Sequence, residues 1–234
     1  MTIKLSTWTY DILGLFFPNS CRLCGKTLHQ QEEILCTTCF YKLAYTNFQN
    51  EMENPVMDIF SGRLPLFSAT AFLFFNKGGG TQQLIHKLKY KGNKEIGVHL
   101  GKLFGNQLNN SALFNESAAI IPVPLHPRKE YKRGYNQSLM ICEGIASRMN
   151  ARVLSDVLYR NIHSSSQTKK SRYERWENVK DIFEIKKGHR LEGKHVLLVD
   201  DVITTGATLE ACGQKLLEIP GIRLSIASLA YAQG

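Results

Sequence analysis

The sequence has no uninterrupted apolar run near the roughly 18 residues that a membrane span requires, so stable membrane insertion is not expected. Its first stretch, MTIKLSTWTYDILGLFF, carries an acid inside the apolar part and lacks a small-residue cleavage site. No secretory signal is therefore expected, and the cytoplasm is the expected compartment. There is no Walker-type phosphate loop and no GxGxxG fingerprint after a strand, which removes the commonest nucleotide-binding loops. Internal repeats and low-complexity tracts are also missing.

Acids are the scarcer charge. Lys plus Arg number 29 against 20 for Asp plus Glu, a formal charge of +9 that suits a phosphate-rich partner, although a plain soluble basic surface has the same composition. At 234 residues and 43% hydrophobic content, the chain is able to bury a full core and to carry a small module beside it.

Four of the six cysteines fall in CRLCGKTLHQQEEILCTTC, as CxxC pairs at Cys21/Cys24 and Cys36/Cys39. Two thiolates on one tight turn can face one ion, and two such knuckles close a tetrahedron around Zn2+. The site would be structural, because four thiolates leave no open position and the polar segment has little apolar content to fold on alone. Two disulfides or a redox CxxC are the alternatives; a reducing compartment disfavours the first and the doubled motif the second. Cys142 and Cys212 lie on apolar helix faces and read as small core residues.

Trp8, Ile12, Leu15 and Phe16 recur at helical spacing, so an amphipathic helix is expected ahead of the cysteines, ending at Pro18. The chain turns polar and irregular from Asn47 to Pro65, the expected linker between a module over residues 1–50 and a domain over 66–234. Beyond it, apolar strand runs in PLFSATAFLFF, AAIIPVP, ARVLSDVLYR, DIFEI, KHVLLVD and RLSIASLAYA alternate with helical patterns in TQQLIHKLKYK, EIGVHLGKLFGNQL, NQSLMICEGIASRM and GATLEACGQKLLE. In NQSLMICEGIASRM the stripe is Leu139, Cys142, Ile145 and Met149. This alternation predicts an α/β fold, a mostly parallel sheet with helices on both faces and ligands beyond the carboxyl ends of its strands.

LLVDDVITTGATLE, residues 197–210, joins a buried strand to a helix through Asp200, Asp201, Val202, Thr204, Thr205, Gly206, Ala207 and Thr208. Free N–H groups at a helix start, helped by threonine hydroxyls, can hold a phosphate, and Gly206 permits close backbone approach. Two acids beside a phosphate would repel it unless they bind something else. Vicinal sugar hydroxyls donate to carboxylates, so a sugar phosphate is the expected ligand. A ligand-free capped turn needs only one such residue.

VLLVDDVITTGAT resembles the phosphoribosyl pyrophosphate (PRPP) signature of type I phosphoribosyltransferases. IIPVPLHPRKEYKRGYNQS, SSQTKKSRYERWENVKDIF and the cysteine quartet are similar in order and content to the ComF family of competence-associated proteins, the GntX-like group. The resemblance runs from Cys21 to Tyr231. It implies that Asp200 and Asp201 bind the ribose hydroxyls, Thr204 to Thr208 hold the 5′-phosphate, and Mg2+ accompanies PRPP. It places Arg133 and Gly134, with Tyr135, Asn136 and Gln137 beside them, in a cationic loop that contacts pyrophosphate. A solvated basic loop is the plainer reading of that charge run. By the same resemblance the segment with Gln167, Lys169, Arg172 and Arg175 corresponds to a mobile loop closing over PRPP. Tyr173 and Trp176 among its cations equally suit single-stranded nucleic acid. Three functions follow: a phosphoribosyltransferase of unknown acceptor, a PRPP-binding protein without turnover, or a handler of single-stranded DNA in competence.

Overall fold

The computed structural model describes residues 19–90, 92–161 and 182–233. The expected helix over Trp8–Phe16 and the segment with Gln167, Lys169, Arg172, Arg175, Tyr173 and Trp176 lie outside the described residues. The chain divides into two units, residues 1–43 and 44–234. Among the described residues, no helix is long and apolar enough to cross a membrane.

In the smaller unit, the first knuckle closes where Gly25, at φ 76°, donates its N–H to the Cys21 carbonyl. Helix α1 (Thr37–Tyr41) starts directly after Cys36. Glu32 ties the intervening loop to this helix by accepting from the N–H groups of His29 and Thr37 and from the Thr37 hydroxyl. These bonds, the Thr37 hydroxyl first, lower the Glu32 pKa to about 2.

The larger unit is built on strands β1 (Ser68–Phe74), β2 (Ala119–Pro122), β3 (Arg152–Val153), β6 (His195–Ile203) and β7 (Arg223–Tyr231). They form one parallel sheet in the order β1-β7-β6-β2-β3. The central strands are buried along nearly their whole length, which is why they read as continuous apolar runs rather than as alternating ones. Helices α3 (Gly80–Tyr90), α4 (Lys94–Asn109), α6 (Gln137–Ala146) and α7 (Ala207–Leu216) cover the sheet. Helices α4 and α6 meet through glycine: a Cβ on Gly101 would lie 2.4 Å from the Ile141 carbonyl, and one on Gly144 would lie 2.2 Å from that of Val98. No side chain fits at either position.

Several expectations are corrected. The stretch 47–65 is not a linker. Asn54 caps α2 (Pro55–Phe60) through Val56 and Met57, and Val56, Phe60 and Leu64 enter the main core. ARVLSDVLYR is not one strand of the sheet. It divides into β3 and β4 (Leu158–Arg160), and β4 pairs antiparallel with β5 (Phe183–Ile185) in a separate ribbon. The cationic stretch after β2 is helix α5 (Pro127–Arg133), because Pro127 pre-sets its first turn, His126 accepts from the Arg128 N–H, and Gly134 closes it at φ 82°. In α6 the buried positions include Ile141 with Cys142 and Ile145, while Leu139 is half-buried. Cys142 and Cys212 are core residues as expected, and burial pushes both thiols well above their ordinary pKa.

Candidate functional site

Asp200 and Asp201 lie within β6, not beyond its end, since the strand continues to Ile203. They take different partners. Asp200 Oδ1 accepts from the Ser138 hydroxyl at 2.9 Å and from the Asp201 N–H at 2.8 Å. Burial, and then the neighbouring Asp201 charge, raise the Asp200 pKa to about 7 despite those bonds. Two carboxylates side by side in a sheet cannot both ionise without strong compensation. Asp201 is 5% exposed, and its Oδ2 faces the Lys89 ammonium at 2.8 Å. That ion pair is not aligned as a hydrogen bond, and no group among the described residues donates one to this oxygen.

The turn that follows is open. Thr204, Thr205, Ala207 and Thr208 are exposed, Val202 is half-buried and Gly206 is buried. Gly206 sits at φ 75° as the residue before α7, and a Cβ there would lie 2.7 Å from Ile59 and 2.9 Å from Phe60 of α2. Arg63, just past α2, donates to the Thr205 carbonyl at 3.0 Å and pairs with Glu210 of α7. The segment expected as a linker is thus the floor and brace of this turn. Gly206→Ala combines a disfavoured φ with a clash, and it is expected to destabilise the protein by about 1–3 kcal/mol. Denaturant unfolding checks this, with an unchanged midpoint as the contrary result.

Arg133 and Gly134 sit where α5 hands over to α6. The Arg133 guanidinium donates to the Gln137 side chain and lies 5.6 Å from the Tyr90 ring centre. The Tyr135 hydroxyl donates to the Leu88 carbonyl, and Asn136 caps α6 while donating to the Val123 carbonyl at 3.0 Å. This weave brings the end of α3 against α5 and, through Ser138, against Asp200. Between α3 and α5 opens a cavity of about 430 Å3 lined by Lys89, Tyr90, Gly92, Lys129, Lys132 and Arg133. Four cations surround a space large enough for a small ligand. Lys89, Tyr90, Ser138 and Arg63 were not anticipated from sequence; only a basic helix end marks the first two.

In the smaller unit, the sulfurs of Cys21, Cys24, Cys36 and Cys39 all lie within 4.8 Å of one another, and the Cys24–Cys36 pair is at 3.6 Å. All four are free thiols. A tetrahedron with Zn–S bonds of about 2.3 Å has edges of about 3.8 Å, so the quartet fits zinc after small adjustments. Burial acts to raise the Cys21 pKa, but backbone N–H groups of Cys24, Cys36 and Leu23 outweigh it and lower the value to about 6. Burial and the other thiols push Cys39 up to about 12. Thiols packed this closely resist losing their protons together without a cation among them.

Residues 136–233 match the phosphoribosyl transferase domain. The chain is 31% identical over 137 residues to the DNA utilization protein YhgH of Escherichia coli O6:H1, covering 57% of this chain and 60% of that one. It is 32% identical over 115 residues to Competence protein F of Haemophilus influenzae, covering 49% and 50%. Against Competence protein ComFC of Bacillus subtilis it is 26% identical over 137 residues, covering 58% and 53%. The chain thus spans about half to 60% of the length of these curated relatives. Among solved structures, glutamine PRPP amidotransferase from B. subtilis aligns over 60% of this chain and 30% of its own, at 18% identity and a TM-score of 0.41. A hypoxanthine phosphoribosyltransferase from Staphylococcus aureus aligns over 61% and 69%, at 18% identity and a TM-score of 0.36.

The parallel sheet and the matched segment define a domain of the type I phosphoribosyltransferase fold, preceded by a four-cysteine module. Over 49–58% of its length the chain is similar to proteins that carry competence and DNA utilization names.

Proposed function

We propose that the protein binds Mg2+–PRPP at the β6–α7 junction and transfers its phosphoribosyl group to an acceptor, releasing pyrophosphate. The observation that carries this reading is the buried Asp201 oxygen, met among the described residues by the Lys89 ammonium alone, three residues before an exposed threonine-rich turn at a helix start. A ribose hydroxyl donates to the Asp201 carboxylate, and the Thr204–Thr208 turn supplies N–H and hydroxyl groups for a 5′-phosphate. The Asp200 carboxyl, held by Ser138, takes the second hydroxyl. Arg133 and Gly134 then stand by the pyrophosphate end.

In the reaction, the bond from the anomeric carbon to pyrophosphate breaks with its electron pair leaving on pyrophosphate. The acceptor forms the new bond from the opposite side and loses a proton. The acids fix the sugar while positive charge develops on its ring, and the cations around the cavity favour the departing anion. In the same reading the cysteine quartet holds one structural Zn2+, and the compartment is the reducing cytoplasm, where free thiols persist.

The acceptor in this reading is single-stranded nucleic acid, a choice in keeping with relatives that carry competence and DNA utilization names. Support comes from Tyr90, 68% exposed, and Tyr131, 93% exposed, among Lys89, Lys129, Lys132 and Arg133. Exposed aromatics interleaved with cations stack bases and hold phosphates.

Mg2+–PRPP at about a hundred times its dissociation constant is expected to stabilise the protein by roughly 2.7 kcal/mol, read as a shift in thermal unfolding. Release of pyrophosphate, screened against bases, nucleotides and single-stranded DNA, separates turnover from binding. No thermal shift with Mg2+–PRPP defeats the reading. A shift without pyrophosphate release in any screen leaves a binding protein.

A further inference from the structure

We propose that Lys89 is an exchange residue, which guards Asp201 in the free protein and turns to the diphosphate of the ligand when PRPP binds. This deepens the PRPP reading and rests on it. Lys89 belongs to α3, outside the segment 136–233 that matches the domain family. Its ammonium lies 2.8 Å from Asp201 Oδ2, and its side chain is 24% exposed along the wall of the cationic cavity. The carboxylate oxygen beneath it is closed to solvent. A ribose hydroxyl therefore reaches Oδ2 only if Lys89 withdraws.

The charges around the cavity set where Lys89 goes. Without an anion, Lys129, Lys132 and Arg133 repel a fourth cation, and the buried Asp201 carboxylate holds it. With a diphosphate in the cavity, the attraction reverses. Ribose 5-phosphate would displace Lys89 without offering it an anion in the cavity. Inorganic pyrophosphate would draw Lys89 away and leave a buried carboxylate unpaired, which is costly. Only a ligand that joins a ribose diol to a diphosphate satisfies both ends at once. The exchange makes the site selective for the activated sugar over either of its halves.

The test is calorimetric titration of the full chain with Mg2+–PRPP, ribose 5-phosphate and magnesium pyrophosphate, in the parent, Lys89→Gln and Lys89→Arg. Glutamine offers Asp201 an amide donor but removes the cation, and thermal unfolding verifies that the variant is folded. Lys89→Gln is expected to weaken PRPP and pyrophosphate about tenfold or more, while ribose 5-phosphate binds as well as to the parent or better. Lys89→Arg is expected to restore PRPP preference in part. Equal weakening of all three ligands, or no change in any, overturns the exchange while the PRPP reading stands on the parent's own binding. A parent that binds pyrophosphate but neither ribose ligand, or binds none of the three, overturns both.

Discussion

Cys36→Ala in the full chain is expected to lower the metal content from about one zinc per chain to none. It is also expected to open residues 21–43 to proteolysis. Few apolar side chains are available to replace the metal there: Ile34, Leu35 and Leu43 are the buried aliphatic residues of the described part of this unit, and α1 has 5 residues. Structural zinc in finger peptides contributes an apparent binding free energy of about 10–16 kcal/mol, more than so small a core supplies. The larger unit has its own core and should keep its cooperative unfolding transition in the variant. Cys142→Ala serves as the comparison, since that thiol is buried on α6 and belongs to no metal-holding group among the described residues. Metal analysis and limited proteolysis read both. A variant that still holds one zinc, or a metal-free parent equally protected from protease, defeats the zinc assignment.

The sheet was legible because β1, β2, β6 and β7 are buried on both faces, and a doubly covered strand must be apolar throughout. The cysteine quartet was legible because its geometry is local: two short turns bring four sulfurs together whatever the rest of the chain does. Stretch 47–65 was misread because its charge and amide content hid Val56 and Phe60 on one face of α2 and Leu64 just beyond it. Asn54 followed by Pro55 was the missed signal, a capping residue before a proline that starts a helix. The same kind of signal, Pro127 and then Gly134, bounded α5, where the charge run suggested a loop. The glycines of GVHLGKLFG recur every fourth residue, a spacing that fits close helix contact, yet the partner Gly144 was not marked by anything local. Lys89 was beyond reach for a different reason. A lysine in a basic helix reads as solvated, and only the fold carries it to an acid far along the chain.

Asp200→Asn is expected to stabilise the ligand-free protein at neutral and higher pH while abolishing most of the PRPP-induced stabilisation. The Asp200 carboxyl, buried beside Asp201, has its pKa raised from 3.8 to about 7. A raised pKa means that the native state holds this proton when the unfolded chain has lost it. The contribution of Asp200 to stability therefore falls as pH rises from about 4 to about 7, and below about 4 both states are protonated and the difference vanishes. An amide keeps the size and the acceptor oxygen for Ser138 and the Asp201 N–H without a charge to bury. The variant should therefore gain of order 1–4 kcal/mol over the parent at pH 8 and match it near pH 4. His195 works in the opposite sense. Burial, helped by Arg223, lowers its pKa to about 4, so its contribution to stability rises between about pH 4 and 6.5. Because both proteins keep His195, the difference between their stability curves isolates Asp200. Ligand binding supplies the second readout: an amide loses the charge-assisted acceptor for a ribose hydroxyl, so the roughly 2.7 kcal/mol stabilisation by Mg2+–PRPP at a hundredfold excess over its dissociation constant should largely disappear. Asp201→Asn is expected to lose the ligand response too, but without the stability gain, because it removes the counter-charge of Lys89. Parallel stability curves for parent and Asp200→Asn from pH 4 to 8 would show that burial of this carboxyl carries no such penalty. An undiminished PRPP shift in the variant would remove Asp200 from the ligand site.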